Sequence, residues 1–138
     1  MALLRVVFDT NVYISAALHG REAETVLDLA SAHRLALLTS PDILAELEEK
    51  MGDKLGWPPE HVRLFLDTIG DIVEIVEPQI TLNVVTEDDD DNRVLECAVT
   101  GSADLIVTFD KDLLRLKSYE TAGIITPRRL QFYGLENV

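Results

Sequence analysis

Arg5-Val-Val-Phe-Asp-Thr-Asn11 is the stretch whose reading decides the fold. Val6, Val7 and Phe8 form a short apolar run with the composition of a buried strand. Asp9 follows at once, and Val12-Tyr-Ile-Ser-Ala-Ala-Leu18 can then wind as a helix. A buried strand ending in a carboxylate at a strand-to-helix turn is a favoured place for chemistry, because sites in open α/β sheets form outside the carboxyl ends of the strands. Asp and Thr also cap helices, and taken alone Asp9 reads first as a cap. The chemical reading depends on other carboxylates reaching the same edge.

Outward from that stretch, strands and helices alternate. The first strand spans Leu3–Phe8 and the first helix Asn11–Leu18, broken by His19-Gly20. Glu22–His33 repeats Ala23, Val26, Leu27 and Ala30 at helical spacing. Leu35–Thr39 is a strand, too short for a helix. Ser40 and Pro41 then form a helix start, cap followed by first position. The helix Pro41–Met51 puts Ile43, Leu44 and Leu47 on one face, Glu46 at the border of that stripe, and Glu48, Glu49 and Lys50 toward solvent. Gly52–Trp57 reads as a loop anchored by Trp57. Pro58-Pro59-Glu60 opens a helix to Ile72 that carries Val62, Phe65, Leu66 and Ile69. Val73–Val76 is a short strand, and the connection over residues 78–85 carries no pattern. Glu87-Asp-Asp-Asp-Asp91 leads into a helix Asn92–Gly101, with Cys97 a small core residue between inward Val94, Leu95, Ala98 and Val99. Ala103–Thr108 is a strand that ends in Phe109-Asp110 much as the first ends in Phe8-Asp9. A helix Asp110–Leu116, a strand Gly123–Thr126 and a helical turn Pro127–Tyr133 close the chain. This alternation predicts a parallel sheet with helices on both faces, and right-handed crossovers put every strand's carboxyl end on one edge.

The 138 residues are read as a single domain, 1–138, long enough for a core without disulfides. A lone cysteine excludes an intrachain disulfide and suits a reducing, cytoplasmic setting. Neither a secretory leader nor a membrane-spanning apolar run is expected. The formal net charge of −13, from 25 acids against 12 bases, gives no overall attraction for nucleic acid. Nucleic-acid chemistry would need metal ions, a local basic patch or a basic partner. Lys111, Arg115, Lys117, Arg128 and Arg129 concentrate five of the bases in the last third. They read equally as an RNA path and as an offset to surface acids.

The acids are placed unevenly. Asp9 and Asp110 end two look-alike strands, Glu46 sits on a helix that follows a strand, and the run ending at Asp91 starts another helix. Four segments thus bring carboxylates to one edge, while His19, His33 and His61 are scattered. Clustered carboxylates repel unless a cation neutralises them or their pKa values rise. Oxygen-only ligands suit Mg²⁺ or Mn²⁺. One or two such ions turn water into a nucleophile and stabilise the leaving oxygen of a phosphodiester. Asp88 and Asp89 read as solvated caps. Thr10, Asn11 and Thr108 are placed to orient ligands or to cap turns.

Four motifs in order carry a family resemblance: Val-Val-Phe-Asp-Thr-Asn-Val, Thr-Ser-Pro-Asp-Ile-Leu-Ala-Glu-Leu, Asp-Asp-Asn-Arg-Val-Leu-Glu-Cys-Ala and Leu-Ile-Val-Thr-Phe-Asp-Lys-Asp-Leu-Leu. Over nearly the whole chain the sequence resembles PIN domains, and among them the VapC-like toxins of toxin–antitoxin systems. The resemblance implies a three-layer α/β/α sandwich around a parallel sheet of about five strands. It also implies Mg²⁺- or Mn²⁺-dependent ribonuclease activity. Its four acids fall on Asp9, Glu46, Asp91 and Asp110, with Asp90 and Asp112 as further candidate ligands. It implies an RNA substrate, a small protein antitoxin and a homodimer.

Two other classes compete. A PIN-like module that binds RNA or a partner without cutting would keep the fold and lack cleavage. A Mg²⁺-dependent phosphotransfer domain would place an Asp after a strand as well. The phosphatase form of that pattern wants a second Asp where Asn11 stands, and the receiver form wants its acceptor on a middle strand, which here ends in Thr39-Ser40.

Overall fold

The computed structural model describes residues 2–86 and 88–133. Its core is a mixed sheet in the order β3-β2-β1-β4-β6-β5. The strands are β1 (Arg5–Phe8), β2 (Ala36–Thr39), β3 (Val73–Ile75), β4 (Leu105–Val107), β5 (Ser118–Tyr119) and β6 (Ala122–Ile125). The first four and β6 pair in parallel, and β5 pairs antiparallel with β6. The helices are α1 (Thr10–Ala17), α2 (Arg21–Ser31), α3 (Pro41–Glu49), α4 (Pro59–Gly70), α5 (Asp89–Thr100), α6 (Lys111–Leu114) and α7 (Pro127–Leu130).

The three-layer arrangement follows from the two-residue period of the strands. Val6 and Phe8, Leu37, and Leu105 and Val107 turn to one face, where they pack with residues of α1, α2, α4 and α7. Val7, Leu38 and Ile106 turn to the other, against Val94, Leu95, Cys97 and Ala98 of α5 and Leu113 of α6. Both faces are covered, so the strands read as unbroken apolar runs rather than alternating ones. Helix α3 lies across the divide, with Leu47 in the first core and Ile43 in the second.

From β1 the chain builds outward through β2 to β3, then crosses back to lay β4 on the other side of β1. The crevice between the ends of β1 and β4 is therefore the point where strand order reverses, the place open α/β sheets offer to ligands.

Four details depart from the sequence expectations. Helix α5 starts at Asp89, capped by the Asp88 carboxylate, which accepts the Asp90 N–H at 2.9 Å. The acidic run is therefore its first turn rather than a lead-in, and Glu87 lies outside the described residues. Helix α3 continues into a wide π-type turn over Lys50–Lys54 where a loop from Gly52 was expected. Strand β5 was not expected: two residues are too few to show a pattern, and left-handed Lys117 and Glu120 frame the hairpin. The described residues over 76–86 form no helix or strand, but two buried polar residues of α5 hold Leu82, Val84 and Val85. Asn92 Oδ1 accepts the N–H groups of Val84 and Val85, and its amide donates to the Val85 carbonyl. Glu96 accepts the Leu82 N–H at 2.7 Å and pairs with Arg93 at 2.9 Å. Among the described residues no helix is long and apolar enough to cross a membrane.

Candidate metal centre

Asp9 leaves β1 as the N-cap of α1 and is buried, with 4% of its surface exposed. Oδ1 accepts the Thr10 N–H at 2.8 Å, and Oδ2 accepts the Thr108 hydroxyl at 2.8 Å. The capping and chemical readings of Asp9 are thus not alternatives, since the cap fixes the carboxylate at the crevice. Thr108 also accepts the Asp110 N–H at 2.9 Å, so one hydroxyl ties the two strand ends together. Asp110 is the N-cap of α6, and its Oδ1 accepts the Asp112 N–H at 2.8 Å. Asp91 arrives from the first turn of α5 and is 2% exposed. Its Oδ2 is buried without a hydrogen-bond partner among the described residues.

These three aspartates converge: one carboxylate oxygen from each lies within 4.8 Å of the others. Burial pushes the Asp9 carboxyl up to about 6, with the Glu46 charge adding to the rise and the Thr108 hydroxyl opposing it. Burial and the charges of Asp110 and Asp9 push Asp91 up to about 8. Such a site accepts a cation readily, because a cation removes the repulsion and supplies the partner that Asp91 Oδ2 lacks. The all-oxygen donor set fits a hard divalent ion.

The remaining expected residues sort by distance from this triad. Glu46 is buried beside it on α3, and its Oε1 accepts the Thr10 hydroxyl at 2.7 Å and Lys50 Nζ at 2.6 Å. Asp90 is half-buried in an open cleft of about 370 Å³ that Glu46, Glu49, Lys50 and Arg93 also line. Asp112 is drawn outward by Arg115 at 3.3 Å. Thr10 and Thr108 touch the acids directly. Asn11 instead accepts the Phe109 N–H at 3.3 Å, joining the loops after β1 and β4. The five basic candidates are exposed but divided: α6 with Lys111 packs in the α5 layer through Leu113, and α7 with Arg128 and Arg129 in the α2 layer through Leu130. Both helices begin at the sheet edge that carries the acids.

Lys50 was read as solvent-side and is not. Its ammonium reaches inward to Glu46 and lies 3.3 Å from the Thr10 hydroxyl. The spacing of four residues from Glu46 was the available signal.

The family model described as PIN domain matches residues 5–112, a span that includes Asp9, Glu46, Asp91 and Asp110. The chain belongs to the PIN domain family. An uncharacterized protein of Methanocaldococcus jannaschii is 33% identical over 120 residues, which cover 83% of this chain and 76% of that protein. Among solved structures, this PIN domain is similar to VapBC2 from Rickettsia felis bound to a DNA fragment from their promoter. That match has a TM-score of 0.63 at 19% identity and covers 89% of this chain and 98% of the other. It is also similar to PAE2754 from Pyrobaculum aerophilum, with a TM-score of 0.65 at 19% identity over 98% of this chain and 91% of the other. At that identity the likeness is one of fold. The PIN fold expected from the sequence is present, with a sixth, antiparallel strand at its edge.

Proposed function

We propose that this PIN domain, taken as one unit over residues 1–138, is a Mg²⁺- or Mn²⁺-dependent endoribonuclease. The observation that carries the reading is the convergence of Asp9, Asp91 and Asp110 within 4.8 Å, with a buried oxygen of Asp91 left unpartnered. These three would hold the ion, with Glu46 flanking them. When bound, a divalent ion supplies Lewis acidity, lowering the pKa of a water and offsetting charge on phosphoryl oxygens.

The protein's own groups do the rest. Thr10 and Thr108 hold both oxygens of Asp9, so that carboxylate needs no reorganisation when charge develops beside it. Asp110 is the least buried of the three and so the most open to a substrate. A carboxylate beside the ion takes the proton that the attacking water gives up. Water adds to phosphorus, the bond from phosphorus to the 3′ oxygen breaks, and that oxygen is protonated from solvent. The products are a 5′-phosphate and a 3′-hydroxyl. Exposed Lys111, Arg128 and Arg129 flank the same edge and can meet the RNA backbone.

The likeness to VapBC2 supports a toxin role in the cytoplasm, restrained by a protein antitoxin. A net charge of −13 suits a basic antitoxin segment. A homodimer is part of the same reading.

The test is cleavage of a mixed RNA pool with Mn²⁺, with Mg²⁺ and with chelator, using wild type beside Asp9→Asn. Metal-dependent cutting lost in Asp9→Asn is the expected result. Cutting that persists in the variant would place the activity elsewhere. RNA binding without cutting under either metal would make the chain a binding module.

A further inference from the structure

Glu46 and Lys50 form a unit that the three aspartates do not share. Lys50 Nζ lies 2.6 Å from Glu46 Oε1, and its side chain is 26% exposed against 9% for Glu46. Thr10 donates to the same Oε1 at 2.7 Å and accepts from Lys50 at 3.3 Å, closing a three-membered ring of contacts. The ammonium is also within electrostatic reach of Asp9 and Asp90. It therefore faces acids from three directions: Glu46 on α3, Asp9 at the start of α1 and Asp90 on α5.

Ordinary helical spacing makes this possible: Lys50 keeps helical backbone angles and its N–H still bonds the Glu46 carbonyl one turn back, just where the wide turn over Lys50–Lys54 begins. A long ammonium side chain is strongly hydrated and gives up that hydration at a cost. Here it does so to neutralise a carboxylate buried at the edge of the acidic cluster, of which Oε1 takes both Thr10 and Lys50 while Oε2 has no hydrogen-bond partner among the described residues. A divalent ion seated on Glu46 would have to expel Lys50 or sit within a few ångströms of its charge.

We propose that Lys50 is a built-in cation that takes the place a second divalent ion would hold. The site then binds one divalent ion, on Asp9, Asp91 and Asp110. Glu46 is the anchor of Lys50 rather than a ligand, a revision of what the family resemblance implies for that residue. Lys50 is thus a positioning residue that supplies fixed positive charge at the mouth of the cleft beside Asp90, where a phosphate oxygen can meet it. The inference rests on the aspartates being a divalent-ion site, and is independent of which nucleic acid is cut.

The experiment counts Mn²⁺ ions per chain, by the paramagnetic resonance of free Mn²⁺ together with calorimetry. Wild type and Lys50→Arg are expected to bind one ion, and Lys50→Gln two. Glu46→Gln is expected to keep one ion with affinity lowered by no more than about tenfold, since a group that acts beside the ligands is being changed. Two ions in wild type, one in a folded Lys50→Gln, or loss of binding in Glu46→Gln overturns the proposal. Circular dichroism checks the fold of Lys50→Gln, and if that variant does not fold, the Glu46→Gln arm alone decides. A wild type that binds two ions and cuts RNA sinks this inference but not the nuclease. A wild type that binds one ion and cuts nothing does the reverse.

Discussion

Phe8-Asp9-Thr10 and Phe109-Asp110-Lys111 look like repeats of one device, and the structure shows that they are not. In the sheet Phe8 lies opposite Val107, so Asp9 comes level with Thr108 and not with Asp110. Asp110 is two residues further along, at the cap of α6. The phenyl rings differ in the same way: Phe8 is fully buried in the core, while Phe109 is 39% exposed. The offset has a chemical consequence. Two carboxylates level with each other on adjacent strands would repel directly. Here the position beside Asp9 is a hydroxyl, which donates to Asp9 and accepts from the Asp110 backbone. The first segment supplies a dry, fixed acid and the second a wetter one, joined by Thr108.

The largest expected effect removes either acid. Asp9→Asn and Asp110→Asn should each reduce metal-dependent RNA cleavage to background, and a gel assay of both decides whether the two unlike segments serve one site. Cutting retained by one of them would break the comparison.

The rings separate next. Phe8→Ala should cost about 3–5 kcal/mol of stability, as for a buried aromatic. Phe109→Ala should change stability by only about 0.5 kcal/mol, as for a surface site. Urea denaturation of both variants reads the difference.

The buried acid also makes a pH prediction. Asp9 is raised from 3.8 to about 6 in the folded protein, so folding favours its protonated form. That contribution is complete below pH 3.8 and is lost as pH rises through about 6. The loss is about 3 kcal/mol once Asp9 is fully ionised. Asp91, raised to about 8, extends the fall to that pH. The melting temperature of chelator-treated protein should therefore drop between pH 4 and pH 8, and Mn²⁺ should restore it at pH 8. Asp9→Asn should flatten the lower part of this fall. A melting temperature that rises across the window would contradict the account.

The joint gives a smaller effect. Thr108→Val should weaken Mn²⁺ binding by about 10–100-fold, while Thr108→Ser should stay near wild type. Calorimetry on the two variants distinguishes the hydroxyl from the shape of the side chain.

These contrasts mark what was legible in the sequence. The parallel sheet was, because Val6–Phe8, Leu37-Leu38 and Leu105–Val107 are buried on both faces and so stand out as apolar runs. The acid at each strand end was visible for the same reason, since a carboxylate directly after such a run has a defined place at the sheet edge. The offset between Asp9 and Asp110 was not, because register belongs to strand pairing and leaves no local trace. Lys50 was misplaced because the apolar pattern groups it with exposed Glu48 and Glu49, whereas its place one regular helical turn after buried Glu46 is what draws its ammonium inward. Asn92 and Glu96 were passed over because their partners are backbone groups of a segment with no pattern of its own.

The most direct test of the central claim is a crystal grown with Mn²⁺ and measured at a wavelength where manganese scatters anomalously. The account predicts one strong peak in each chain, bounded by carboxylate oxygens of Asp9, Asp91 and Asp110, with Lys50 still on Glu46. A peak elsewhere, or none between these aspartates, would contradict it.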